Sequence, residues 1–124
     1  EFSRYIQLLI FSRVSFDDEE TYKGMLEDRE NAKNETNPQP LIGLEGQAAA
    51  CMDHDILDRL HKIKQPVLVI GGEEDKFTPL WMTREVAGAI PNATLHTYPG
   101  SGHAFHWENI EDFNPRVSDW FLKH

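Results

Sequence analysis

Two side chains in this sequence are placed for proton chemistry. Asp75 ends the turn Gly72-Glu73-Glu74-Asp75 behind the apolar run Val67–Ile70, and His103 ends Gly100-Ser101-Gly102-His103 behind the segment 93–98. A histidine acting as a general base takes a proton on one ring nitrogen, while a carboxylate at the other nitrogen fixes its tautomer and steadies the imidazolium. Open α/β sheets collect such groups beyond the carboxyl ends of their strands. The spacing therefore predicts Asp75 and His103 on adjacent loops at one sheet edge, as the last two members of a catalytic triad. Gly100 and Gly102 let the backbone turn tightly and direct the ring inward. A nucleophile in a Gly-x-Ser-x-Gly frame does not occur in these 124 residues. Ser101 stands only two residues before the histidine and lies on no strand-to-helix turn, so it is a poor candidate.

Each of these residues also has a plainer reading. An acidic residue after a strand is commonly a solvated turn, which suits Glu73 and Glu74. A histidine among aromatics is commonly structural, which suits His96 in mid-strand. Trp81, Phe105, His106 and Trp107 fit the wall of a substrate pocket, and core packing accounts for them as well. His103-x-x-His106, completed by Cys51 or by Asp53-His54-Asp55, is the competing metal reading. Its spacing fits no closed structural zinc pattern, so neither metal nor organic cofactor is expected.

The elements that must position the pair follow from hydrophobic pattern and punctuation. Val67–Gly71 reads as a strand apolar on both faces, 80–90 as a helix and 93–98 as a second strand, a βαβ unit. Thr78 reads as an N-cap with Pro79 in the first helical position. The closing helix has two possible starts, Asn109 with Asp112 or Asn114 with Pro115. A proline inside one long helix costs about 3 kcal/mol, which predicts a break near Asn114 and a helix that packs Val117, Trp120 and Phe121 on the sheet.

Upstream, the sequence is helical. The dense apolar stretch of residues 2–11 suggests a mostly buried helix. Asp17 with Glu20 has capping-box spacing for a helix over 18–33 whose greasy side carries Tyr22, Met25, Leu26 and Arg29. The tract 34–40, with two prolines, is a loop. Residues 41–53 form a short helix whose small centre, Ala48 to Ala50, suggests close packing. Asp55 caps a last turn that directs Ile56, Leu57 and Leu60 inward. Residues 1–62 thus form a helical lid-like segment, and residues 63–124 an α/β segment.

Composition sets outer bounds. With 124 residues, 40% of them apolar, the chain is long enough for one modest core. A formal charge of −9 repels phosphate backbones, and no basic stripe with interleaved aromatics occurs, so nucleic-acid binding is not expected. No stretch approaches the roughly 20 apolar residues of a membrane span. The single cysteine, Cys51, permits no intrachain disulfide and points to a reducing, cytoplasmic setting. The opening Glu1-Phe2 fits a cloning remnant or the interior of a longer chain.

The segments LDRLHKIKQPVLVIGGEEDKFTP, AIPNATLHTYPGSGHAFHWE and FNPRVSDWFL together resemble the C-terminal half of an α/β-hydrolase, with residues 1–62 resembling the end of its helical lid. That resemblance implies an incomplete α/β fold of parallel strands with crossover helices. It also implies the chain order Ser, Asp, His for the triad, with Asp75 as the acid and His103 as the base. The nucleophile and oxyanion donors would lie in an absent N-terminal half, and the chain alone would be inactive. The implied activity is cleavage of a small carboxylic ester, lactone or related bond, closest in pattern to enol-lactonases and small-ester hydrolases. A hydrolase-like receptor that binds a small molecule without turnover is the alternative. An interior strand without its neighbours calls for a partner. Either the missing half or a second copy, in a homodimer with exchanged lid helices, would meet that need.

Overall fold

The computed structural model describes residues 2–124, with side chains from Tyr5 onward; Glu1 and the side chain of Phe2 lie outside that description. Four α-helices come first: α1 (Phe2–Ile10), α2 (Arg13–Asp17), α3 (Glu19–Lys33) and α4 (Leu41–Asp53). A short 3-10 helix, Leu57–Lys62, leads into β1 (Val67–Gly72), α5 (Leu80–Ala89), β2 (Ala93–Tyr98), α6 (Phe105–Glu108) and α7 (Ile110–Lys123).

The two strands are parallel neighbours, with Val67 opposite Ala93 and Gly72 opposite Tyr98. A parallel pair needs a long crossover, and α5 supplies it, packing on both strands and on the 3-10 helix. Register decides the rest: because Gly72 and Tyr98 are partners, the loops carrying Asp75 and His103 leave the sheet side by side. Two backbone bonds stitch them together, Glu73 N–H to the Tyr98 carbonyl at 3.1 Å and Glu74 N–H to the Ser101 carbonyl at 2.8 Å.

Several local expectations change in the folded chain. Val67–Ile70 is half-buried rather than enclosed on both faces, because among the described residues β1 pairs with β2 alone. Among the described side chains of α1 the buried one is the polar Gln7, whose amide donates to the Met25 carbonyl at 2.9 Å, while Leu8 and Leu9 stay exposed. The density of apolar residues exceeds what α3, its neighbour, can cover. The capping residue of α3 is Asp18, which accepts from Thr21 N–H, because Asp17 is taken up as the last residue of α2. On α3 itself Met25 is buried, whereas Tyr22 and Leu26 remain exposed.

The helix α4 has the bounds its sequence predicts, but it buries none of its residues; Ile42 is 80% exposed and Met52 85% exposed. Its small centre, Ala48 to Ala50, is exposed rather than closely packed. Leu60 is buried below α5, while Ile56 and Leu57 keep more than a third of their surface.

No break occurs at Asn114. Helix α7 continues through Pro115 from Ile110 to Lys123. The proline removes one intrahelical bond, and that turn is spanned by the bidentate Arg116–Asp112 pair at 2.9 and 3.0 Å. Asp112 also accepts from the Tyr98 hydroxyl at 2.8 Å, which moors the helix to the end of β2. Phe121 is 76% exposed instead of packed on the sheet. The helix stands off, and a groove runs between it and Leu68, Thr94 and His96. No helix among the described residues is long and apolar enough to cross a membrane.

Candidate active site

Asp75 sits at the mouth of the β1 loop and is only 7% exposed. Its carboxylate is saturated with donors. Oδ1 accepts from Phe77 N–H at 2.8 Å and from Thr78 N–H at 2.9 Å. Oδ2 accepts from the Thr78 hydroxyl at 2.7 Å and meets His103 Nδ1 at 2.9 Å. Burial alone raises the carboxyl's pKa, but the hydroxyl and backbone N–H of Thr78, then His103 and Phe77 N–H, together outweigh it and hold the group below its ordinary value.

Thr78 therefore does something other than its expected task. Pro79 precedes α5 without a side-chain cap, and the Thr78 hydroxyl turns back to Asp75, lying 3.4 Å from His103 Nδ1 as well. The loop is an Asx-type turn, in which the aspartate bonds the backbone two and three residues on. That signal is readable in D-K-F-T, though the cap reading concealed it. Replacing Thr78 by alanine is expected to move the Asp75 carboxyl up toward its ordinary value. A carboxyl depressed in the folded state adds stability above its unfolded pKa, and that stability is lost as pH falls through the folded pKa. The variant should lose it at a higher pH than the parent. Thermal melts between about pH 2 and 5, with a carbon NMR titration of the Asp75 carboxyl, check the direction.

An ionised carboxylate can only accept, so the short contact calls for a proton on His103 Nδ1, and in the neutral tautomer that results the lone pair is on Nε2. The ring is part-exposed beside Phe77, with centroids 5.3 Å apart. This is the arrangement of an oriented general base. The histidine loop owes its course to Gly100, at φ +73°, the left-handed region that glycine adopts without strain. Gly102 is held for another reason. A Cβ there would meet the Ile10 carbonyl oxygen at 2.8 Å and Ser12 N at 2.9 Å, so the end of α1 lies directly against this loop.

Ser101 is buried and its hydroxyl accepts from the Asn109 side chain at 2.7 Å, an engagement with the base of α7 rather than with the His103 ring. Asn109, spent in this way, gives α7 no side-chain cap. Phe105 and His106 lie in an aromatic cluster with Tyr98 and Phe113. Trp107, 60% exposed, stacks on Phe11 at 6.3 Å and lines a groove of about 310 Å³ with Val14, Thr21 and Glu108. Trp81 projects from the first turn of α5, also 60% exposed. The groove under α7 is lined by neither Asp75 nor His103. Cys51 is exposed on α4, and no three His, Cys, Asp or Glu side chains converge as a ligand set among the described residues.

Glu108 escaped sequence reasoning altogether. Its carboxylate accepts from Ser12 N–H at 2.7 Å, the Ser15 hydroxyl at 2.5 Å and Gly102 N–H at 2.8 Å. Two of those partners lie more than 90 residues upstream, and no local periodicity announces them.

Residues 12–110 match the family profile described as alpha/beta hydrolase fold. A 2-hydroxy-6-oxononadienedioate/2-hydroxy-6-oxononatrienedioate hydrolase of Pseudomonas putida is 39% identical over 70 residues, which are 56% of this chain and 24% of that protein. A solved structure from Mycobacterium tuberculosis superposes with TM-score 0.81 at 29% identity, over 98% of this chain and 43% of its own. The structure of a thermophilic esterase gives TM-score 0.67 at 27% identity, over 99% and 47%. The chain thus spans about a quarter of the curated relative and less than half of each solved structure.

Proposed function

The chain belongs to the α/β-hydrolase fold family, and from that premise we propose that the protein it forms part of hydrolyses a small carbonyl substrate, with Asp75 orienting and His103 moving the protons. The contact that carries this reading is His103 Nδ1 to Asp75 Oδ2 at 2.9 Å, on neighbouring loops beyond two parallel strands. A pure binding site has no need of an imidazole held in one tautomer by a buried carboxylate.

In this reading a serine hydroxyl, supplied by a segment outside these 124 residues, gives its proton to His103 Nε2 as its oxygen adds to the substrate carbonyl carbon. The tetrahedral oxyanion collapses, and the leaving group departs with the proton from His103. Water then gives a proton to the same nitrogen as its oxygen adds to the acyl carbon; on collapse the serine oxygen leaves with that proton, which frees the acid and restores the neutral imidazole. The substrate class is a small carboxylic ester or lactone. The 2-hydroxy-6-oxononadienedioate named for the Pseudomonas relative is the second substrate to test, since its 6-oxo group too offers a carbonyl carbon to the nucleophile. Trp81 and Trp107, exposed aromatic surfaces, are assigned to the pocket wall, whereas Phe105 and His106 hold the loop from behind.

The test is turnover by the intact protein of p-nitrophenyl acetate and of that dienedioate, with and without Asp75→Asn. Saturable turnover of either, lost in the variant, supports the reading. Tight binding of a small carbonyl compound with no turnover by the parent would favour a hydrolase-like receptor instead.

These 124 residues alone are expected to turn over neither substrate and to associate. The half-buried apolar β1 edge and the uncovered α4 call for a partner, and burial of a few hundred Å² of apolar surface stabilises by several kcal/mol at about 25 cal/mol/Å². The partner proposed is the remainder of the fold or a second copy exchanging its helical segment about the 34–40 loop. Light scattering at micromolar concentration checks it; a cooperatively folding monomer would count against it.

A further inference from the structure

We propose that Glu108 is a positioning residue for His103, which it ties to the helical segment, an inference that rests on His103 being the general base. Glu108 sits at the end of α6, five residues after the histidine, yet its carboxylate reaches both ways. Oε2 accepts from the N–H of Gly102, the residue before His103, at 2.8 Å. Oε1 accepts from Ser12 N–H at 2.7 Å and the Ser15 hydroxyl at 2.5 Å, where α1 hands over to α2. Ser12 is 1% exposed and Ser15 is 5% exposed, so this is an interior clasp rather than a surface pairing.

A second tie flanks the histidine on its other side, Ala104 N–H to the Ile10 carbonyl at 2.8 Å. Between the two, residues 10–12 and 102–104 pass so closely that Gly102 has no room for a Cβ. The His103 backbone is therefore fixed from both neighbours against the chain that opens the helical segment. A displacement of α1 and α2 would reach the ring through Glu108. An ionised carboxylate suits this task because all three partners are donors, and it can accept from every one. An amide in its place has one accepting oxygen, and its nitrogen faces a donor.

Glu108 touches no substrate in this arrangement, so its effect should appear in kcat and leave KM within about threefold. Loss of the clasp lets the ring drift from the attack geometry, where a misplacement near 1 Å costs about a hundredfold in rate. In the intact protein, Glu108→Gln is expected to lower kcat for p-nitrophenyl acetate about a hundredfold. The downfield proton resonance of His103 Nδ1–H, bonded to Asp75, should broaden by exchange with solvent in the same variant. Glu108→Asp, which keeps the charge on a shorter stem, should recover part of both signals. Ser15→Ala, which removes one of the three donors and spares the Gly102 tie, should lower the rate and broaden the resonance less than Glu108→Gln does. Should Glu108→Gln fail to fold, the Glu108→Asp and Ser15→Ala pair decides by the same two readouts. An unchanged rate with a sharp resonance overturns the proposal, and so does a lost rate with a sharp resonance. If the parent shows no turnover, the hydrolase reading falls, and the resonance alone still decides whether Glu108 holds the imidazole on Asp75.

Discussion

His103→Ala in the intact protein is expected to lower kcat for its carbonyl substrate by about 10⁴-fold while KM barely moves. The imidazole is required when the nucleophile loses its proton and again when the leaving group takes one, and neither step belongs to ground-state binding. Asp75→Asn should cost nearly as much, about 10⁴-fold, by a different route. Its amide fits the carboxylate's place, but an NH₂ directed at Nδ1 favours the wrong tautomer and strips Nε2 of its lone pair. The acceptor network points the same way. Asp75 takes four hydrogen bonds, from Phe77 N–H, Thr78 N–H, the Thr78 hydroxyl and His103, and an amide nitrogen can satisfy none of those donors. Because the two residues act as one unit, the double variant should be little slower than either single variant. Steady-state kinetics on the three proteins checks this. Multiplying effects, or a loss below tenfold for His103→Ala, would sink the assignment.

Gly72→Ala is expected to be the most damaging single methyl group in the α/β segment. A Cβ at position 72 would lie 2.1 Å from the Gly102 carbonyl oxygen and 2.4 Å from that of Ser101. Both are backbone atoms of the histidine loop, and no rotamer change relieves them. To accept the methyl, the loop must move away from β1, which strains the Glu74 N–H to Ser101 carbonyl bond at 2.8 Å and draws His103 off Asp75. A cost of about 3 kcal/mol, the upper range for overpacking, is expected in urea unfolding. Activity should fall about a hundredfold with it. Gly71→Ala is the control. Its Cβ would approach Thr83 Cγ2 at 2.9 Å and Oγ1 at 3.0 Å, and a side chain can turn aside, so about 1 kcal/mol is expected. Equal effects at the two positions would show that the loop yields more readily than its contacts indicate.

The two glycines and Glu108 show where physical interpretation of a linear sequence stops. By itself, the sequence determined the features that short-range chemistry dictates. The β-branched run of β1, the loop at 34–40, the bounds of α4 and β2, and the turn glycines all follow from pattern and backbone sterics. So does the placement of Asp75 and His103 after two successive parallel strands, since a βαβ unit returns its strand ends to one edge. The structure alone decided what each side chain meets there. Thr78 could cap α5 or bond Asp75, and the 2.7 Å contact selects the second. Glu108 could have been a solvated carboxylate, but three donors from two distant segments converge on it. Burial was decided in the same way. Alternation and helical period state which face of α1 or α4 is apolar, whereas burial requires another element to lie over that face. For α4 none of the described residues does so. Pro115 makes the same point, because its cost is local while the Tyr98–Asp112–Arg116 network that holds α7 continuous joins a strand to a helix. Local rules are written into neighbouring residues, and the contacts that tune a carboxylate or cover a helix belong to residues the chain brings together only on folding.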